Sequence, residues 1–385
     1  MSVDVRTRLH RDVRVLERDE MLDAFLPDAL AMNGDLADRG CSYLQLPPLG
    51  FDVEGRGVTL AADSGRLELI SGTDPANVVA TMAADALSDL LQDRQSTMGL
   101  AMTSRVKITS GDMGDWIGWE PVLRAMLDGR KVHEAGDVTF VDLDGGELDL
   151  GHVFNADDDP SSMAHFMEQA GFLHLRGVFD ETQMAALDAD VDEWLTRATP
   201  DDGESWWATD GAGVDHAVRV LFFYDKSAVL RSLLGNERYR MIGDLTGDSH
   251  VHTGGGEGLI KPLDIVRGLS DLPWHKDCGQ GGHGYTCSGL TTGISVTGAD
   301  RTCGALGVIP GSHRANTMVT GRDRRLDLQP LMIETRTGDV TVHCSDTLHR
   351  AHPPIDRPRI RASRCPCARA TSSAPTRVEK KNARN

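Results

Sequence analysis

From Gly171 onward the chain is a succession of short strand-forming runs broken by glycine and proline, and this constrains the fold more than any other feature. Gly171–Val178, Val218–Tyr224, Gly289–Thr297, Ala305–Ile309, Leu331–Thr335 and Asp339–Cys344 each read as a strand. Many short strands with turn signals between them predict an all-β sandwich or barrel core. Helices flank it. One is expected over Met163–Ala170, and another starts at Asp180, whose carboxylate suits an N-cap.

At 385 residues the chain is long for a single core, and two domains are expected. Residues 1–45 read as a helical lead-in, with Leu16, Met21, Leu22, Phe25 and Leu26 near helical spacing. Residues 46–155 read as a small α+β domain. Its strand runs are Gly57–Ala61, Arg66–Ile70 and Val106–Thr109, with amphipathic helices predicted over Asn77–Leu91 and Trp119–Leu127. The acidic stretch from Asn155 to Pro160 reads as a linker. From Arg357 to Asn385 nine Arg or Lys stand against a single Glu without periodicity, so 363–385 is expected to be a disordered basic tail.

A formal net charge of −18 disfavours nucleic acid or anionic membrane as a main partner. The seven cysteines form no CxxC pair and are odd in number, which argues against a disulfide framework or zinc ribbon. A reducing, cytoplasmic setting is the simplest expectation. The first residues are charged throughout and lack an apolar leader core, and no run reaches 18 apolar residues, so no membrane span is expected.

The chemistry is expected around Pro273-Trp-His-Lys-Asp-Cys-Gly279. Pro273 keeps this segment extended, so His275 and Asp277 point the same way and can converge on one ion. Lys276 should point to the opposite face. An imidazole with a hard carboxylate suits Fe(II), Mn(II) or Co(II). His349 is the best candidate for a third ligand. His343, inside a strand, and His352, before two prolines and expected at the surface, compete with it. Two histidines and one carboxylate form the facial set of non-haem Fe(II) oxygenases, leaving sites for a chelating 2-oxo acid and for O2.

Other candidates read as less informative. His10-Arg-Asp12 falls on a charged stretch read as helical, where its side chains diverge. His250-Val-His252 sits in a glycine-rich loop. His313 is expected to be structural, and Cys278, Cys287 and Cys303 to be packed thiols. Trp206-Trp207 either line a cleft or pack the core.

Residues 165–362 resemble the phytanoyl-CoA dioxygenase family of Fe(II)/2-oxoglutarate-dependent oxygenases. GFLHLRGVFDETQMAAL, LPWHKD, GALGVIPGSHR and GDVTVHCSDTLHRAHPP carry the likeness through their order and spacing. The resemblance implies an α+β chain: a double-stranded β-helix (jelly roll) core with flanking helices over 160–362, preceded by the small α+β domain. It implies His275, Asp277 and His349 as iron ligands and 2-oxoglutarate as cosubstrate. It also implies an arginine, Arg359 or Arg361, whose planar guanidinium binds the distal carboxylate of that cosubstrate.

Two features depart from the family pattern. Ala351 stands where a small polar residue is usual, and Pro366 is expected to cut short the closing strand. The N-terminal half has a fainter similarity to sterol-carrier-type lipid-binding domains. The expected function is hydroxylation, or another oxidation, of a C–H bond in a small lipid-like or natural-product substrate. The alternatives are a catalytically impaired lipid-binding scaffold and a cupin-like metalloenzyme that works without 2-oxoglutarate. The oligomeric state is left open.

Overall fold

The computed structural model describes residues 13–63, 66–246, 250–251, 256–268, 271–277, 289–321, 323, 325–356 and 359–369, with 63, 250–251 and 359–369 described in backbone alone. His10 and Asp12, His252, Cys278 and Cys287, and the tail from 370 lie outside these residues.

Near the N-terminus, strands β1 (Leu49–Val53), β2 (Arg56–Asp63), β3 (Arg66–Ser71), β4 (Val78–Met82) and β5 (Val106–Ser110) form one sheet in the order β3-β2-β1-β4-β5. β1 and β4 run parallel, and the other pairs are antiparallel. β4 corrects the expectation of one helix over Asn77–Leu91, which here spans only Ala84–Leu91. Val78, Ala80 and Met82 alternate inward in the middle of the sheet, where β-branched residues pack well. The second expected helix spans Glu120–Asp128.

The lead-in is not a separate piece. Leu16, Met21, Leu22, Leu26 and Leu44 share one buried core with the sheet, Trp116, Trp119 and, last in sequence, Val132. The apolar residues beyond it pack elsewhere: Val138 and Phe140 lie against Ile309 and Leu348.

The stretch expected as a linker is also structured. Phe154–Asn155 is strand β6, which runs parallel to β7 (Phe172–Arg176). Asp159 caps the next helix, Pro160–Ala170, accepting from the amides of Ser161 and Ser162, with Pro160 in the first turn where its missing N–H costs nothing. Asp180 and Gln183 form a reciprocal capping box at the start of Glu181–Arg197.

Beyond this helix come β8 (Ser205–Asp210), β9 (Asp215–Val220), β10 (His250–Val251), β11 (Glu257–Lys261), β12 (Ile265–Arg267), β13 (Leu272–His275), β14 (Leu290–Ser295), β15 (Leu306–Val308), β16 (Leu331–Ile333), β17 (Val340–Cys344), β18 (His349–Ala351) and β19 (Arg359–Arg369). β9 ends four residues before the expected Tyr224, because Phe223–Lys226 is a helical turn entered through Phe222 at φ 54°.

Two sheets result. The larger has the order β12-β8-β9-β11-β19-β14-β17-β7-β6, with β10 paired to β19, and the smaller is β13-β18-β15-β16. From β13 to β19 the chain passes repeatedly between them. Leu290, Ile294, Val340 and Val342 of the larger sheet share a core with Leu306, Val308 and Ile333 of the smaller.

The closing strand is not cut short at Pro366. β19 extends to Arg369, seven residues past the expected domain end, between β11 and β14. Its register against β14 slips by one residue: Thr292 faces Arg364 but Leu290 faces Cys367. Pro366 falls within this irregularity, where a residue without an N–H interrupts no regular ladder bond.

Candidate metal centre

His275 ends β13 and lies directly across from His349, the first residue of β18, in the antiparallel register of the smaller sheet. This pairing brings together two side chains far apart in sequence, with ring centroids 4.2 Å apart. Asp277 follows two residues after His275, and its amide donates to the carbonyl of Ser345 at 2.9 Å, just past β17.

His275 Nδ1 donates to the Pro273 carbonyl at 2.6 Å, and His349 Nδ1 to the Thr347 carbonyl at 2.9 Å. A carbonyl only accepts, so in each neutral imidazole the proton sits on Nδ1 and Nε2 keeps its lone pair. Both Nε2 atoms lie 3.5 Å from Asp277 Oδ1. Lone pairs on three atoms therefore face a common point, an electrostatic conflict that a cation relieves.

Among the described residues, these three form one group of donors able to hold a metal ion, with ligand atoms all within 4.8 Å of one another. That spread is compatible with one ion about 2 Å from each donor. A nitrogen, oxygen, nitrogen set fits ferrous iron. The histidines are buried and the Asp277 side chain is 17% exposed.

The larger sheet supplies the rest. Thr291 on β14 and His343 on β17 are cross-strand partners, and both reach the other carboxylate oxygen. Thr291 Oγ1 donates to Asp277 Oδ2 at 2.6 Å, while His343 Nε2 lies 3.5 Å from it and the His343 ring packs, tilted by 43°, with its centroid 4.0 Å from that of His349. Burial pushes the Asp277 carboxyl up. When the facing imidazoles of His349, His275 and His343 are protonated, they outweigh it and hold the group well below the usual carboxylate range.

The remaining candidates sort clearly. Lys276 points away from the donors and is fully buried, its amine donating to the carbonyl of Ser312 at 3.2 Å. Burial pushes its pKa down to about 8, against the opposing charge of Asp346. His352 is half-buried against the edge of Trp274, not at the surface, and outside the donor group. His313 is structural: its Nε2 donates to the Glu168 carbonyl at 3.0 Å. Cys303 is a packed thiol. Trp206 lies on the surface under the Arg219 guanidinium, 4.3 Å from its ring. Arg359 and Arg361 lie on β19, opposite Lys261 and Leu259 of β11.

The sequence carries no signal for Thr291, and it offers His343 only as a competitor of His349. Neither lies in a spacing pattern with Asp277. Only the register of β14 against β17 brings both to it.

The buried two-histidine, one-carboxylate group between two sheets is of the facial type found in non-haem iron oxygenases, and with the family match that follows the protein is an iron- and 2-oxoglutarate-dependent oxidoreductase. Residues 167–355 match the family model described as Phytanoyl-CoA dioxygenase (PhyH), so the chain carries a domain of that family.

Solved structures similar to the chain include the epimerase SnoN in complex with Fe3+, alpha ketoglutarate and nogalamycin RO (20% identity, TM-score 0.44, 56% of this chain and 89% of that one). AviO1 from Streptomyces viridochromogenes Tue57 is 21% identical, with a TM-score of 0.44 over 56% of this chain and 98% of that one. EctD from S. alaskensis with 2-oxoglutarate and 5-hydroxyectoine is 18% identical, with a TM-score of 0.46 over 62% and 86%. No curated protein is significantly similar in sequence. Among the described residues no helix is long and apolar enough to cross a membrane.

Proposed function

We propose that the protein oxidises a C–H bond of a small organic substrate, lipid-like or of natural-product type, with His275, Asp277 and His349 as the iron ligands. The observation that carries this reading is the convergence of both histidine Nε2 atoms on Asp277 Oδ1, each at 3.5 Å. Ferrous iron with 2-oxoglutarate, when bound, supplies activation of O2 and the oxidising power for the C–H bond.

The chain's own residues orient and hold. The carbonyls of Pro273 and Thr347 fix the two imidazoles, and such outer partners commonly set ligand geometry. Thr291 occupies Asp277 Oδ2, which leaves Oδ1 for the ion. Arg359, with Arg361 as the second candidate, anchors the distal carboxylate of the cosubstrate through a charge-assisted pair. The alternation of strands between the sheets supports a double-stranded β-helix. The N-terminal unit, a five-stranded sheet covered by helices, is proposed to be sterol-carrier-like, which favours an apolar substrate.

The test is anaerobic addition of Fe(II) and then 2-oxoglutarate. A weak visible charge-transfer band is expected, followed on aeration by succinate. Bound iron without the band would point to a metalloenzyme that does not use the cosubstrate. No bound iron would favour the scaffold reading.

A further inference from the structure

Lys276, between two of the proposed ligands, is buried at the junction with the N-terminal unit. Its amine donates to the carbonyls of Ser312 (3.2 Å) and Ala315 (3.5 Å), and its own amide donates to Val319 O at 2.9 Å. Ser312 is also tied to the third ligand. Its hydroxyl accepts from the amide of Leu348, the residue before His349, at 2.8 Å, and donates to Ile309 O at 2.6 Å. One buried loop therefore braces both ligand segments.

The same loop is held from the other side by the N-terminal unit. The Asn316 side-chain amide donates to the carbonyls of Pro121 (2.8 Å) and Arg130 (2.9 Å), and the amide of His133 donates back to Asn316 O at 3.0 Å. Asn316 is 4% exposed. Nearby, Asp327 accepts from His133 Nε2 and the Gly136 amide, both at 2.8 Å, and Arg325 donates to Leu44 O at 3.2 Å. The Asn316 contacts lie in water-poor surroundings, where losing one partner leaves the other unsatisfied, whereas Asp327 and Arg325 are partly exposed.

We infer that the N-terminal unit is a working part of the metal centre, with Asn316, Ser312 and Lys276 as positioning residues that hold the three donors in place through the loop from Ser312 to Val319. The inference rests on the proposed function. It makes the unit's grip on Asn316 a determinant of metal affinity, whatever else that unit binds.

The test titrates Co(II), as a spectroscopic probe, into the full chain and records the Tm of the metal-free protein. Asn316→Ala and Lys276→Met are each expected to weaken Co(II) binding about 10-fold, the scale of lost outer-shell support. Asn33→Ala serves as the control. It removes a comparable bond, to Met126 O at 2.8 Å, inside the N-terminal unit, and should lower Tm while leaving Co(II) affinity unchanged. Variants at 276 and 316 that lose Tm but bind Co(II) like the wild type overturn the inference. Should Lys276→Met fail to fold, Asn316→Ala decides alone. A wild-type chain that binds no Co(II) overturns both this inference and the reading beneath it.

Discussion

The Thr291 hydroxyl on β14 donates to Asp277 Oδ2 at 2.6 Å, tying the carboxylate beyond β13 in the smaller sheet to the larger sheet. Thr291→Val keeps the shape and removes the donor. It is expected to weaken metal binding by about 10- to 100-fold, and Thr291→Ser should recover most of the loss. Competition titration with a chelator measures both. Equal affinities for Val and wild type would detach Thr291 from the centre.

The rings of His349 and His343 pack with centroids 4.0 Å apart, yet their proposed roles differ. His349→Ala removes a ligand and should reduce Fe(II) affinity by more than ~100-fold, because a ligand outweighs an outer partner. His343→Ala should cost less and leave the 2-oxoglutarate band visible at saturating iron. Iron content after desalting, together with the band, separates the two. Loss of iron in the His343 variant alone would exchange their assignments.

Arg359 is the favoured anchor for the cosubstrate. Losing a charged hydrogen-bonded pair costs about 1.5–3 kcal/mol, so Arg359→Ala should raise the 2-oxoglutarate concentration at half-maximal band intensity by about 10- to 100-fold. Arg361→Ala should then have a smaller effect. The reverse order would move the anchor two residues along β19.

Asp339 supplies a pH dependence separate from the metal centre. Its carboxylate is buried and accepts from His174 Nε2 (2.9 Å), the Gly177 amide (2.9 Å) and the Arg336 amide (2.8 Å). Burial pushes its pKa up, and these three donors outweigh it and hold the group below its usual value. A depressed carboxyl adds stability that is present above its unfolded value of about 4 and is lost as pH falls through the lower folded value. Denaturant melts should therefore show stability falling below about pH 4. Asp339→Asn should reduce stability at pH 7 by about 2 kcal/mol and flatten that acid limb. An unchanged limb would assign the acid sensitivity to other carboxylates.

What the sequence determined by itself is local. Glycine and proline spaced short strands, and the runs they bounded match about half of the strands among the described residues. Asp180 marked a helix start because capping acts within a few residues. His275 and Asp277 could be paired in advance because an extended backbone repeats every two residues. Tertiary structure decided everything that depends on register. It turned Val78–Met82 into a central strand, although its apolar residues also suit a helix, and it carried β19 past Pro366 through an irregularity in its pairing with β14. It also set His349 opposite His275, delivered Thr291 and His343 to Asp277, and joined Asn316 to Pro121 and Arg130. The reason is physical: hydrogen bonds between strands and across the junction link residues far apart in the chain, and no local propensity records which of them will meet.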